Sequence, residues 1–325
     1  MTFRPVGQML VFGGTVCFAV DSSVIDRYIR AEIERNDIPG ASVAISRNGE
    51  IIYAAGFGVR SVVTGDLMTA DAPVDLASVS KPLTAFAVKQ LSLQRSVDPD
   101  APVTRYLPEL GQAFTSVRIR DLIRHASGLT RRDDILVPCC GRPGEYDLDV
   151  AVKALAAAKP AKARGSFVYA NSNYVLMAAV IQRVSGRPFP VFMAESVFRP
   201  LRMRHTTLDP EEARRWGLAE PHERCWRGGL PGRELFLGWY GSSLVKSTAS
   251  DMARFLESAY SGRARSWSEP YDEGWFIRRL RQLPGNPIVL EHGGNTEGGQ
   301  HSSDCSAGMA HGGGGVAELR NASRR

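Results

Sequence analysis

The sequence predicts an α+β protein in which an antiparallel sheet is combined with a mostly helical region inserted between the two parts of the sheet. The pair Asn48-Gly49 separates two strand-like runs and is a strong hairpin signal. The segment 73–235 reads mainly as helix and loop, and strand patterns return at 274–277 and 288–291. A chain of 325 residues is long enough to form both parts around one cleft.

The elements at the start of the sheet are an amphipathic helix followed by the hairpin. The helix is predicted to face the sheet with five apolar side chains: Val24, Ile25, Tyr28, Ile29 and Ile33. The hairpin strands are predicted at 41–47 and 50–58. We assign 21–72 and 236–325 to a sheet domain and 73–235 to a helical domain, with the active site between them.

Residues 1–20 precede this first helix and are interpreted as a weak signal peptide or a disordered leader. They contain one basic residue, an apolar run from Met9 to Val20, and Cys17-Phe18-Ala19 as a candidate cleavage site. The apolar run is too short to span a bilayer, so we expect no stable membrane insertion. The sequence leaves both a cytoplasmic and an exported (periplasmic or secreted) location open, and it leaves the oligomeric state open.

The charge and the metal-binding residue types exclude several classes of function. The formal net charge is +6, but the basic residues are scattered, which indicates a solvated surface and no nucleic-acid partner. The five cysteines and six histidines lack the spacing of a zinc site or a disulfide framework. We therefore expect no metal and no cofactor. The chain also lacks the G-x-S-x-G elbow of an α/β-hydrolase.

The first candidate catalytic motif is Ser78-Val79-Ser80-Lys81, at the start of a predicted helix. Residues three apart on a helix share one face, so Lys81 can exchange a proton with the Ser78 hydroxyl if its own pKa is held down. The N-terminus of a helix also favours negative charge. A second S-x-x-K, Ser243 to Lys246, shows that this pattern arises by chance and is not diagnostic alone.

The second motif is Tyr169-Ala170-Asn171, which precedes a strongly apolar helix predicted at 174–184. A tyrosine near a lysine ammonium can serve as a base and then as an acid, and an asparagine can orient an amide or ester. The alternative interpretation is structural. In that case Asn171 or Ser172 caps the helix and Tyr169 is only buried.

The third motif is a short apolar strand, Ile288 to Glu291, that runs into His292-Gly293-Gly294. Glycines on an edge strand let a substrate approach the backbone closely, and a free N–H can point at an oxyanion. By itself, the segment is more typical of a glycine-rich turn beside an unrelated histidine.

In this order, the three motifs resemble those of the serine β-lactamase and penicillin-binding protein superfamily. The resemblance is closest to its branch of class C β-lactamases, D-aminopeptidases and family VIII esterases, and it extends over about residues 22–300. Stretches similar to the family also occur, in the same order, at 76–81, 100–108, 119–129 and 247–255. The resemblance implies a β-lactamase/transpeptidase-like fold.

The resemblance also implies roles for the first two motifs. Ser78 would be the nucleophile that accepts the acyl group, with Lys81 and Tyr169 as its proton-transfer partners. Asn171 would orient the substrate. The pair Ser243 and Lys246 matches no family motif and is interpreted as fortuitous.

The third motif would bind the substrate. His292 would stand where β-lactamases carry the lysine of Lys-Thr-Gly, followed by Gly293 and Gly294. The oxyanion hole would be formed by the N–H groups of Ser78 and Asn295. A histidine is mostly neutral near pH 7, which favours uncharged esters or amides over β-lactams.

The resemblance therefore implies a serine hydrolase that acts on a small-molecule ester, amide or β-lactam. Two alternatives remain. One is an acyltransferase that passes the same acyl-enzyme to an alcohol or amine. The other is an inactive homologue that serves as a binding module.

The end of the chain departs from the family, whose members continue with two apolar strands and a closing helix. Here the segment after Gln300 is polar and rich in glycine, and Val316 to Asn321 is interpreted as a remnant of the last strand. These strands normally lie inside the sheet. We therefore expect the segment to supply them poorly and the sheet to be weakened.

Overall fold

The structure is a computed structural model. It describes residues 21–137, 147–158, 160, 164–225, 228–231, 239–260, 267, 270–279, 281, 288–294, 305–310 and 314–320. For 222–225, 228–231, 305–310 and 314–320 the description is confined to the backbone.

The described strands are β1 (Gly40–Arg47), β2 (Glu50–Gly58), β3 (Val74–Asp75), β4 (His222–Cys225), β5 (Gly228–Pro231), β6 (Lys246–Ser247), β7 (Tyr271–Asp272), β8 (Trp275–Arg279), β9 (Ile288–Gly294), β10 (Cys305–Ala310) and β11 (Gly314–Arg320). Seven of them form one antiparallel sheet in the order β2-β1-β11-β10-β9-β8-β7. The pairs β3–β6 and β4–β5 form two small sheets.

The described helices are α1 (Ser22–Arg35), α2 (Ser80–Leu93), α3 (Ile119–Ile123), α4 (Arg131–Asp134), α5 (Leu148–Ala156), α6 (Asn171–Ser185), α7 (Phe189–Met193), α8 (Pro210–Arg215) and α9 (Ala249–Tyr260). Short 3-10 turns and one π-helical turn connect several of them. Within the described ranges, no helix combines the length and the apolar character needed to cross a bilayer.

The predicted hairpin is confirmed. Asn48 and Gly49 have φ angles of 53° and 86°, as a tight turn with positive φ at both central residues requires. The N–H of Gly49 donates a 2.9 Å hydrogen bond to Glu257 on α9. The turn is therefore anchored to a helix that lies far away in the sequence.

Helices α1 and α9 cover opposite faces of the sheet. Ile29 of α1 packs with Val43 and Phe57 on one face. On the other face, the Ser46 hydroxyl lies 3.4 Å from the carbonyl oxygen of Ala253 on α9. This arrangement buries β1 between two helices.

The predicted apolar face of α1 is only partly correct. Ile29 is buried and Ile25 and Ile33 pack against it, whereas Val24 and Tyr28 are 52% and 60% exposed. Ile25, Ile29 and Ile33 are spaced by four and lie in one line along the helix. Val24 and Tyr28 each lie about 100° away from this line around the helix axis. Only the line of isoleucines reaches the sheet.

The helical part of the core is centred on α2 and α6. The residues of α6 from Ser172 to Ile181 are all buried, and Gly186 ends the helix in the left-handed conformation with φ 66°. Helices α2 to α8 all arise from the segment 73–235, and α9 packs on the sheet. The division into two domains at residues 73 and 235 stays a prediction.

The expectation that the segment after Gln300 fails to supply the inner strands is wrong. β11 pairs with β1 along Ala41–Arg47, and β10 pairs with β9 along Val289–Gly294. The two strands also pair with each other and fill the position between β1 and β9. Strand pairing uses backbone N–H and C=O groups, so a polar, glycine-rich sequence can still form the ladder.

Candidate active site

Ser78 lies in a 3-10 turn, Ala77–Val79, that runs directly into α2. Its neighbour Ala77 has a φ of 45°, a conformation that residues other than glycine adopt at a cost. The Asp75 carboxylate accepts a 2.9 Å hydrogen bond from the Ala77 N–H and holds this turn in place. The half-buried Ser78 is thus presented at the start of a helix whose first residues are buried.

The Lys81 side chain connects the first two motifs. It is fully buried, and its ammonium donates hydrogen bonds to three oxygens: Ser78 Oγ at 3.0 Å, Asn171 Oδ1 at 2.8 Å and the Ser242 carbonyl at 3.0 Å. Because an ammonium has three N–H donors, these acceptors fix its direction. The structure therefore brings Ser78, Lys81 and Asn171 together, although Asn171 is 90 residues away from Lys81.

The Tyr169 ring packs against the same ammonium. The Lys81 Nζ lies 4.8 Å from the ring centroid, within the range of a cation–π contact. On its other sides the ring stacks with Phe276 at 6.2 Å and lies 4.4 Å from the ring of His125. The proposed proton-transfer partners are therefore direct neighbours.

Asn171 is the first residue of α6, but it does not cap that helix. The N-cap residue is Ala170, which has no side-chain cap. The carboxylate of Asp134 on α4 instead accepts hydrogen bonds from the N–H groups of Asn171 at 3.0 Å and Ser172 at 2.7 Å. The Asn171 side chain is thus available to Lys81, and the alternative that Asn171 or Ser172 caps α6 does not hold.

His292 is buried on β9 and is held in the neutral state. Its Nδ1 lies 2.6 Å from the Gly293 carbonyl oxygen, which can only accept, so the ring proton is placed on Nδ1. Its Nε2 then accepts from the Tyr271 hydroxyl at 3.0 Å. Burial, together with the charge of Lys81, lowers the pKa of His292 from 6.5 to about 3.

The two glycines after His292 have different surroundings. A Cβ on Gly294 would lie 2.3 Å from the Leu76 carbonyl oxygen and 3.2 Å from the Ala77 side chain, whereas a Cβ on Gly293 would have no neighbour within 4 Å. The end of β9 therefore lies directly against the turn that carries Ser78. Asn295, the expected second oxyanion donor, lies outside the described residues.

Sequence reasoning missed His125 as a residue of this site. It is buried with a φ of 53°, and its Nδ1 accepts from the Ala170 N–H at 3.3 Å and lies 3.1 Å from Asn173 Nδ2. Burial and the nearby Lys81 charge hold the pKa of His125 well below its usual value. Its position in the family-like stretch 119–129 was the available signal. Asp134 was missed as well, and its sequence context offers no comparable signal.

The second S-x-x-K pair, Ser243 and Lys246, makes contacts within the fold near the turn that carries Ser78. Lys246 is buried, and its ammonium lies 3.2 Å from the Asp75 carboxylate. The Ser243 hydroxyl accepts from the Trp239 N–H at 2.9 Å. Lys246 thus supports the carboxylate that holds the Ser78 turn. Among the described residues, no three His, Cys, Asp or Glu side chains are grouped as a metal site would require.

Comparison with known proteins places this chain in a family. A family model described as Beta-lactamase matches residues 25–317. Esterase EstB of Burkholderia gladioli is 29% identical over 269 residues, which cover 72% of this chain and 69% of the esterase. The teichoic acid D-alanine hydrolase of Staphylococcus aureus is 26% identical over 236 residues, which cover 71% of this chain but only 56% of that protein.

A solved structure has the same fold. EstCE1, described as a hydrolase with promiscuous acyltransferase activity, superimposes with a TM-score of 0.75 at 21% identity, over 93% of both chains. The predicted β-lactamase superfamily, the α+β fold and the class of serine hydrolase are thereby confirmed. The roles of individual residues stay predictions.

Proposed function

This chain belongs to the beta-lactamase family, and we propose that it hydrolyses small-molecule esters or amides through an acyl-enzyme on Ser78. The observation that carries the proposal is the position of the Lys81 ammonium. It donates hydrogen bonds to Ser78 Oγ and Asn171 Oδ1 and lies against the Tyr169 ring. These contacts join a nucleophile, a proton carrier and an orienting amide in one place.

The reaction has two halves that use the same groups. The base that takes the Ser78 proton is Lys81 in its neutral amine form or Tyr169 in its phenolate form, since an ammonium has no free electron pair. The proton passes to that base as Ser78 Oγ attacks the substrate carbonyl, and the C–O or C–N bond breaks when the base returns the proton to the leaving group. Water then attacks the Ser78 ester and loses its proton to the same base. The acid is released and the Ser78 hydroxyl is restored.

The third motif favours an uncharged group where the substrate contacts β9. His292 is neutral, because burial and the Lys81 charge lower its pKa to about 3, and Gly293 offers no hydroxyl. Among the described residues of β9, a β-lactam carboxylate would find no cation. We therefore propose esters and amides, rather than β-lactams, as the substrates.

Turnover of p-nitrophenyl acetate and butyrate by the purified protein tests this function, with nitrocefin as the β-lactam comparison. We expect ester turnover that is lost in Ser78→Ala and exceeds nitrocefin turnover. A fluorophosphonate probe should add once to the wild type and not to Ser78→Ala. Faster nitrocefin hydrolysis would overturn the substrate class. Absence of both turnover and labelling would identify an inactive binding module.

Acyl transfer is the second candidate, because the fold neighbour EstCE1 is described as having promiscuous acyltransferase activity. An alcohol or amine would then replace water in the second half of the reaction. Added methanol or benzyl alcohol should yield the corresponding butyrate ester. If only butyric acid forms, the protein is a hydrolase alone.

A further inference from the structure

The proposed active site has an exposed cation beside Tyr169. Arg131 is the first residue of α4, and its guanidinium carbon lies 5.7 Å from the Tyr169 ring centroid. The same ring lies 4.8 Å from the Lys81 ammonium, which is 3.0 Å from Ser78 Oγ. Consecutive contacts thus connect an arginine open to solvent with the nucleophile.

The carboxylates nearest to Arg131 in the sequence are occupied by other groups. Asp133 accepts from the N–H and hydroxyl of Thr130, at 2.6 Å and 3.0 Å. Asp134 accepts from the N–H groups of Asn171 and Ser172. Among the described residues, none forms an ion pair with Arg131, and its one assigned contact is the ring of Tyr169.

The other positions of the site do not offer this charge to a substrate. Lys81 is fully buried and donates to three protein oxygens. His292 is buried and neutral. Within the part of the chain that the structure describes, α4 therefore supplies the positive charge that faces solvent beside Tyr169, while β9 is uncharged at His292.

We infer that Arg131 binds an anionic group of the substrate, so that the preferred substrates are open-chain esters or amides, rather than β-lactams, that bear a carboxylate on the Tyr169 side of the site. This inference rests on the proposed function, since it concerns the same site. A guanidinium presents a planar fork of N–H donors that matches a carboxylate with two parallel hydrogen bonds. Because Arg131 is exposed, water and salt screen the contact, and we expect about tenfold selectivity.

The test compares kcat/KM for matched neutral and anionic esters. For the acyl side, p-nitrophenyl butyrate is paired with p-nitrophenyl hemisuccinate. For the leaving-group side, it is paired with the butyrate ester of 5-hydroxy-2-nitrobenzoic acid. The ratio of anionic to neutral kcat/KM cancels any general effect of a substitution on Tyr169, and the two pairs show which side carries the charge.

Arg131→Gln should lower this ratio about tenfold in at least one pair. Arg132→Gln is the matched control, because it removes the same charge from the next exposed residue of α4. It should leave the ratio unchanged. In the wild type, raising the salt concentration should lower the ratio, and this dependence should be absent in Arg131→Gln.

Three outcomes would overturn the inference. The first is an equal ratio of anionic to neutral kcat/KM in the wild type, Arg131→Gln and Arg132→Gln. The second is a loss in Arg132→Gln as large as that in Arg131→Gln. The third is a wild-type ratio that does not change with salt concentration. Normal butyrate turnover with an unchanged ratio rejects only the role of Arg131. Absence of turnover together with absence of fluorophosphonate labelling on Ser78 rejects the proposed function, and this inference with it.

Discussion

At the scale of single residues, the Lys81 ammonium is the group that joins the motifs. Its three hydrogen bonds reach Ser78 and Ser242 as well as Asn171 at the start of α6. A buried ammonium without such acceptors would be costly, so each acceptor also stabilises the fold. The same bonds hold the ammonium where it can exchange a proton with the Ser78 hydroxyl.

Lys81→Ala and Tyr169→Phe should each lower kcat for p-nitrophenyl butyrate by about 100-fold or more, with a smaller change in KM. Their proposed work is proton transfer in the transition state, so the double variant should lose far less than the product of the two single losses. Circular dichroism of each variant controls for unfolding. Near-wild-type turnover by Tyr169→Phe would assign this tyrosine to packing.

The two buried histidines predict a loss of stability on acidification. The pKa of His292 is lowered to about 3, and that of His125 is also well below 6.5. Below about pH 6.5 the histidines of the unfolded chain take up protons, while the buried histidines of the folded protein stay neutral. The unfolded state therefore binds more protons, and the free energy of unfolding falls as the pH drops. Burial raises the pKa of Asp134, which acts in the opposite sense at lower pH.

For His292 alone, linkage gives a loss on the order of 1 kcal/mol between pH 7.5 and pH 5.5. Urea unfolding at the two pH values measures it, and His292→Asn should show a smaller difference than the wild type. Equal or greater stability of the wild type at pH 5.5 would contradict the neutral, buried state of His292.

At the scale of elements, three segments meet at the nucleophile. The 3-10 turn at Ser78 leads into α2, β9 ends against this turn, and α4 holds the start of α6 through Asp134. Asp134 is best described as a positioning residue. It bonds the backbone of Asn171, whose side chain in turn bonds Lys81.

The contact between β9 and the Ser78 turn predicts opposite behaviour of two neighbouring glycines. In Gly294→Ala the new Cβ would lie 2.3 Å from the Leu76 carbonyl oxygen, so β9 must move away from the turn. We expect a stability loss of about 1–3 kcal/mol and a lower kcat. Gly293→Ala is the control for stability, because its Cβ would meet no atom within 4 Å.

Thermal melting and butyrate turnover of both variants check this prediction. A Gly294→Ala protein as stable and as active as the wild type would show that β9 tolerates the shift. If Gly293→Ala were destabilised equally, the cause would be the strand backbone rather than the contact with Leu76.

At the scale of the whole molecule, the seven-stranded sheet combines strands that are far apart in the sequence. β1 and β2 come from residues 40–58, and β7 to β9 come from residues 271–294. β10 and β11 connect these two sets, since they pair with β9 and β1. The two sets pair with one another through this glycine-rich segment.

Deletion of residues 301–325 should therefore unfold the protein and not merely shorten it. β1 and β9 would each lose a strand partner along most of their length, which leaves backbone N–H and C=O groups unpaired. We expect loss of the cooperative melt and of soluble expression, measured against the full chain. A shortened protein that melts cooperatively and retains esterase activity would show that these strands are dispensable.

Most of the local features could be predicted from the sequence. The spacing of Ser78 and Lys81 and the hairpin at Asn48-Gly49 follow from helix and turn geometry within a few residues. The outward position of Tyr28 could not be predicted, because it depends on how α1 is rotated about its axis against the sheet. His125 and Asp134 were missed because their contacts join positions 45 and 37 residues apart.

The sequence by itself determined the order of the three motifs, and the resemblance of these motifs to a known family determined the class of fold and the nucleophile candidate. The tertiary structure alone decided that burial lowers the pKa of His292 to about 3, that Asp134 rather than Asn171 caps α6, and that the polar segment after Gln300 forms inner strands. These properties depend on burial and on partners distant in the sequence. Such contacts exist only after the chain has folded.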